Sequence, residues 1–299
     1  MGTKRRTTTG RDLLTGGGMA VLGGAHDGLS ARLVQEAGYD GIWASSFGIS
    51  LASRCLPDTD LITMTENLES VRQMTWAADI PVIADISAGY GNAVNVQRLV
   101  EEFEQAGVAG VCLEDNPVPK RCSLYGGWER AMVPITEMAG KIRAAQDAKQ
   151  GDGFVVIART EALIGDFGAE VALERARAYA EAGADALLVH AKRFSDWLEF
   201  SELWDGDTPL VSVPTLFPEV TFDELRGHGI SVAIYPNQAV RAAIKAMQGV
   251  LGTILAEGRG EAVDPDIVPL SEVYRLVDLD AIRAAEESYV LADVAAEAS

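Results

Sequence analysis

A (β/α)8 barrel is the fold class this sequence predicts, and three features predict it. Eight short apolar runs recur along the chain, rich in Val, Ile and Leu and with little alternation. That is the pattern of parallel strands covered on both faces. Helical patterns separate them, and glycine closes several of those helices just before the next run. The 299 residues, 48% of them hydrophobic, suit one large barrel.

In chain order, the first strand is expected at Met19–Gly23, followed by a helix over Asp27–Ala37 that the phrase EAGYDG ends. The second strand is Gly41–Ser45 and the third Pro81–Asp85. A helix over Ala93–Gln105 ends in QAGVAG and feeds the fourth strand, Gly110–Glu114. A helix over Ile135–Lys149 precedes the fifth, Phe154–Ala158. The helix Ala169–Ala180 ends in EAGADA before the sixth, Ala184–Val189. Leu210–Pro214 and Ser231–Tyr235 complete the eight, and Asn237–Leu251 is the last barrel helix. The segment Pro269–Ala296 reads as helical. The whole of 1–299 is expected to be one barrel domain with a helical extension from about 268. An open doubly wound sheet is the competing architecture, but no GxGxxG follows the first strand.

Composition removes several function classes. With 30 Gly and only 11 Pro, the chain is neither collagen-like nor largely disordered. Acidic residues number 44 against 25 Lys plus Arg, a net charge of -19 that repels a phosphate backbone. The one basic cluster is Lys4–Arg6, so no nucleic-acid partner is expected. No uninterrupted apolar run reaches a bilayer's length, and no membrane span is expected. Three scattered cysteines are no disulfide framework, which fits a reducing, cytoplasmic setting.

In a barrel, function gathers where strands end at the C-terminal mouth. There the third strand delivers Asp85, before a loop carrying Gly91 and Asn92. The fourth delivers Glu114 and Asp115, pointing in different directions. The fifth delivers Arg159 and Glu161 on one side, the sixth delivers His190, and Asp58 lies in the loop after the second strand. Asp115 is read equally well as capping the next loop, and a structural pairing of Glu114 with Arg159 is the minor alternative to its role in the site. Carboxylates converging with one Arg and one His suit an anionic substrate and a hard divalent cation such as Mg2+. After the fourth strand, PVPKRCSLYGG places Lys120, Arg121 and Cys122 in a segment bounded by Gly126 and Gly127. Such a loop can close on an anion and exclude water. The neighbouring cations are expected to favour the Cys122 thiolate.

The segments GGAHDGLSARLVQEAGYDGIWASS, ADISAGYGN, GVCLEDNPVPKRCS, VVIARTEALI and LLVHAK occur in that order. Together they resemble the phosphoenolpyruvate mutase and isocitrate lyase superfamily from about Gly10 to Leu276, most of all its phosphoenolpyruvate mutase and phosphonopyruvate hydrolase branch. The resemblance implies a barrel whose eighth helix is exchanged between subunits, a homotetramer built as a dimer of dimers, and Mg2+ as cofactor, with Mn2+ as its alternative. It implies a small anionic 2-oxo acid as substrate. Asp85 resembles the principal metal-site acid, and Asp58 and Glu114 the carboxylates around it. Arg159 and His190 resemble the groups that hold the distal anion. Trp43, Ser45 and Ser46 resemble the segment that holds the 2-oxo carboxylate, Gly91 and Asn92 belong to the GYGN loop, and Lys120 resembles the gating-loop lysine.

Three departures matter. Where the family has DxD before GYGN, this chain has Asp85-Ile86-Ser87, one carboxylate fewer. Asn116 and Cys122 stand where the mutase has lysine and asparagine. The lyases' KRCGH is here KRCS. The resemblance implies cleavage of the C3 bond of a 2-oxo acid, with hydrolysis of a phosphonopyruvate-type C–P bond leading. Rearrangement by a mutase, carbon–carbon cleavage of oxaloacetate or a 2-alkylmalate, and a non-catalytic ligand-binding homologue are the alternatives.

Overall fold

A computed structural model describes residues 8–127 and 130–289. The Lys4–Arg6 cluster and the end of the expected helical tail, beyond residue 289, lie outside the described residues. Eight strands, β1 (Ala20–Ala25), β2 (Gly41–Ala44), β3 (Val82–Asp85), β4 (Gly110–Glu114), β5 (Val155–Thr160), β6 (Ala186–Val189), β7 (Leu210–Ser212) and β8 (Ile230–Tyr235), form a closed barrel in sequence order. Neighbours pair in parallel, and β8 returns to β1 with Ala20 opposite Val232. This is the (β/α)8 architecture the apolar runs predict, each run lying within two residues or so of its strand.

The helix-ending phrases behave as their glycines require. Gly38 and Gly183 adopt φ of +86° and +99° directly after their helices, a backbone region that a side chain disfavours. Three helices of nine or more residues are not among those expected from the sequence, Ser46–Arg54, Met64–Ala77 and Phe194–Leu203. A local signal for the second was present: Thr63 and Glu66 form a reciprocal capping box.

Side chains alternate between two apolar layers. Leu22, Trp43, Ile83, Cys112, Ile157 and Leu188 fill the barrel interior. Ile42, Val82, Val111, Ala158 and Leu187 pack outward against helices. This period of two decides which polar residues reach the mouth.

The chain divides into two compact units, one up to Val240 and one from Arg241 onward. The second contains most of the helix Gln238–Glu257 and the helices Leu270–Leu276 and Leu279–Tyr289. By length and composition Gln238–Glu257 is apolar enough to cross a bilayer, although no uninterrupted apolar run signals it. Gln238, Arg241, Lys245 and Gln248 recur on it at helical spacing, a polar stripe characteristic of an amphipathic helix. Met247, Leu251 and Leu255 are exposed on it.

Candidate active site

The inward parity of each strand carries directly to its end. Ile83 leads to Asp85, Cys112 to Glu114, Ile157 to Arg159, Leu188 to His190 and Trp43 to Ser45. Trp43, Ser45, Asp58, Asp85, Glu114, Lys120, Cys122, Arg159 and His190 all line one cavity of about 40 Å3 at the barrel mouth. Asp115, of opposite parity, points outward. It accepts from Thr160 Oγ1, the Glu161 N–H, Arg175 Nη1 and the Tyr179 hydroxyl at 2.8–3.0 Å. It is therefore a buried hub joining the end of β5 to the helix Ala169–Glu181, rather than a loop cap.

At one side of the cavity stands Lys120. Its ammonium donates to Ser46 Oγ and Ser87 Oγ at 3.0 Å each and meets Asp58 Oδ2 at 3.0 Å. Those contacts occupy its three protons, and Glu114 Oε1 follows at 3.5 Å. Burial works against this charge, but Asp58, Glu114 and Asp85 outweigh it and hold the ammonium well above its ordinary value. Burial raises the Glu114 carboxyl to about 7, with Lys120 and Arg159 only partly offsetting it. Asp85 accepts from Ser46 Oγ at 2.8 Å and from the Ser87 N–H at 3.0 Å. Asp60, unnoticed in the sequence, accepts the Lys120 N–H at 2.6 Å. Burial raises its carboxyl against that hydrogen bond.

Arg159 meets the same Glu114 carboxylate through its other oxygen. Its Nε donates to Glu161 at 2.6 Å, its Nη1 faces Glu114 at 3.4 Å, and its Nη2 reaches Ser123 Oγ at 3.2 Å and His190 Nδ1 at 2.9 Å. Burial opposes the Glu161 carboxylate, yet Arg159 prevails and holds it well below the usual range. Burial, then Arg159, lowers His190, so its imidazole is neutral near pH 7.

The structure differs from two expectations. Gly91 and Asn92 do not line the cavity. Asn92 Oδ1 instead accepts the N–H groups of Val94 and Asn95 as the N-cap of the helix Ala93–Gln105. The Cys122 thiol is not activated: burial and Asp58 push it up to about 12 despite Lys120. Arg130 was missed, yet it donates to the carbonyls of Arg121, Cys122, Ser123 and Tyr125 and braces the loop.

Among the described residues, no three acid, histidine or cysteine side chains are close enough to grip a metal ion by themselves. The acid cluster nevertheless offers only oxygen donors, and Glu114 Oε1 is buried without a hydrogen-bond partner. Such a set fits a hydrated hard cation held by few direct ligands and several waters.

The sequence profile of the phosphoenolpyruvate phosphomutase family matches residues 11–255. This chain belongs to the phosphoenolpyruvate mutase/isocitrate lyase superfamily. Its superfamily relatives span several activities. Phosphonopyruvate hydrolase of Variovorax sp. (strain Pal2) is 39% identical, over 94% of this chain and 97% of that one. Phosphoenolpyruvate phosphomutase of Streptomyces hygroscopicus is 40% identical, over 96% and 92%. A 2,3-dimethylmalate lyase of Eubacterium barkeri is 36% identical, over 93% and 96%. Among solved structures of the superfamily, phosphoenolpyruvate phosphomutase from Streptomyces platensis subsp. rosaceus superposes with a TM-score of 0.91 at 41% identity, covering 94% of this chain and 98% of that one. The complex of phosphonopyruvate hydrolase with oxalate and Mg2+ gives 0.88 at 38%, covering 94% and 97%. Superfamily membership makes this chain an enzyme of a group of hydrolases, mutases and lyases.

Proposed function

We propose that this enzyme cleaves the C3 bond of a small 2-oxo acid, and that the leading reaction is hydrolysis of phosphonopyruvate to pyruvate and phosphate. The observation that carries this reading is the convergence of Arg159, His190 and Ser123 as one group of donors in a small cavity, with Lys120, Ser45 and Asp85 as a second group on its wall. A compact dianion suits the first group, since a guanidinium, a neutral imidazole and a hydroxyl supply fixed donors. The 2-oxo acid end suits the second.

In the proposed reaction the C–P bond breaks and its electron pair stays on C3. Oxygen from water bonds to phosphorus, and a proton later restores the methyl group of pyruvate. The buried Lys120 ammonium sets positive charge beside the developing enolate without reorganisation. Asp85, with Asp58 and Glu114 through water, would hold Mg2+ or Mn2+. When bound, that ion supplies further positive charge at the 2-oxo group. Subunit association as a homotetramer with exchange of the eighth helix belongs to the same reading, and the exposed Met247, Leu251 and Leu255 support it.

One observation favours a second reading, carbon–carbon cleavage of a malate derivative. Cys122 lines the cavity as a protonated thiol, the state a group needs to protonate an enolate. Phosphorus NMR with Mg2+ and phosphonopyruvate separates the outcomes. Inorganic phosphate is the expected product. Phosphoenolpyruvate would identify a mutase, and an unchanged phosphonate beside a cleaved 2-alkylmalate would identify a lyase.

A further inference from the structure

Asp60 has no part in the chemistry above, yet its setting is unusual. It stands in the turn after the helix Ser46–Arg54 at φ +58°, a left-handed conformation that Asp tolerates better than most residues. One carboxylate oxygen, Oδ2, accepts the peptide N–H of Lys120 at 2.6 Å. The other, Oδ1, is buried and among the described residues has no hydrogen-bond partner. The Lys120 charge and the Ser87 hydroxyl also favour this carboxylate, but burial outweighs them, so stability alone gives little reason for an acid here.

The loop that Asp60 grips is otherwise braced from within. Arg130 gathers the carbonyls of Arg121, Cys122, Ser123 and Tyr125 around one guanidinium. Residues 117–127 therefore resemble a small flap, docked on the barrel at a limited set of points. Lys120 is the critical one. Its flexible stem places the ammonium on three acceptors at once, which requires its main chain to be held. Lys120, Cys122, Ser123 and Leu124 of this segment form part of the cavity wall. Lifting the flap removes that wall and breaks the bond between Asp60 and the Lys120 N–H.

We propose that Asp60 is a positioning residue that latches the 117–127 flap through the Lys120 peptide N–H and so seats the Lys120 ammonium among Asp58, Ser46 and Ser87. The proposal rests on the reading of Lys120 as part of the reacting site.

Cys122, 5% exposed, reports closure. Cys55 is exposed and is replaced by Ser in every protein tested, while Cys112 is enclosed in the barrel. Labelling of Cys122 by iodoacetamide is then followed by mass spectrometry, with circular dichroism as the check on folding. Asp60→Ala should speed labelling by at least about tenfold, because an open flap exposes the thiol and restores its ordinary acidity. Asp60→Asn keeps a carbonyl oxygen that accepts the Lys120 N–H and should stay within about threefold of the parent. Should the Ala variant fail to fold, Asp60→Ser makes the same comparison with a hydroxyl too short to reach. An unchanged rate in the folded Ala or Ser variant overturns the proposal, as does equal acceleration in the Asn variant. Labelling needs no turnover. A protein that labels as expected but leaves phosphonopyruvate intact refutes the reaction and supports the latch.

Discussion

Arg159 donates from Nη2 to Nδ1 of His190 across 2.9 Å, and that contact decides which ring nitrogen carries the proton. A guanidinium has no acceptor, and its contact is shorter than the 3.4 Å from Nδ1 to Glu161 Oε1, so Nδ1 accepts and the neutral ring keeps its proton on Nε2. His190 is thereby a fixed donor. Removing one such donor in His190→Ala should lower kcat for phosphonopyruvate by about 10²-fold. Steady-state kinetics check this, and a kcat within about twofold of wild type would take His190 out of the reacting site.

The same imidazole makes an acid-stability prediction. Its folded-state pKa is lowered, first by burial and then by Arg159. Between the folded and unfolded values the unfolded chain binds more protons, so stability rises with pH there. This contribution is present above about pH 6.5, the unfolded value, and is lost as pH falls below it. His190→Gln lacks it. Wild type should therefore lose more in Tm than His190→Gln on going from about pH 7 to about pH 5. Parallel losses would remove His190 from the acid response.

Cys122 separates the two reaction classes. In the hydrolase, Cys122→Ser should change turnover of phosphonopyruvate by less than about threefold, since the thiol there only lines the cavity. In a lyase, the same variant should lose about 10²-fold or more on a 2-alkylmalate, because a hydroxyl is a far weaker acid. Product assays on both substrates for both proteins distinguish these outcomes.

Ser87 offers Lys120 a hydroxyl at 3.0 Å where a carboxylate would add charge. Ser87→Asp should tighten Mn2+ binding by about tenfold or more, measured by electron paramagnetic resonance of the free ion. Exhaustive chelation should abolish turnover in wild type and variant alike. Full activity after chelation would sink the metal assignment.

Asp115 is a stability prediction rather than a catalytic one. Asp115→Ala takes from Arg175 its carboxylate partner at 3.0 Å and leaves the guanidinium only the Val133 carbonyl and the Tyr179 hydroxyl. Breaking a buried pair from one side costs about 3–5 kcal/mol, and urea unfolding should register a loss of that order. A loss under about 1 kcal/mol would show that Thr160, Tyr179 and Arg175 do not depend on it.

The barrel and much of its mouth were legible in the chain because their signals are local. Apolar runs mark strands covered on both faces, a glycine after a helix marks its end, and the period of two carries Asp85, Glu114, Arg159 and His190 inward together. What lay beyond reading were properties set by distant neighbours and by burial. Lys120 and Arg121 adjoin Cys122 in sequence and suggest a thiolate, but burial and Asp58, 64 residues away, keep the thiol protonated. Asp60 meets the Lys120 N–H across 60 residues, and Asp115 meets Arg175 across 60 more. Sequence by itself determined the order of strands and which residues reach the mouth, because both follow from backbone geometry. Tertiary structure alone decided which side chains pair there and which protons they keep, because desolvation and Coulomb terms depend on the groups folding brings within a few ångströms.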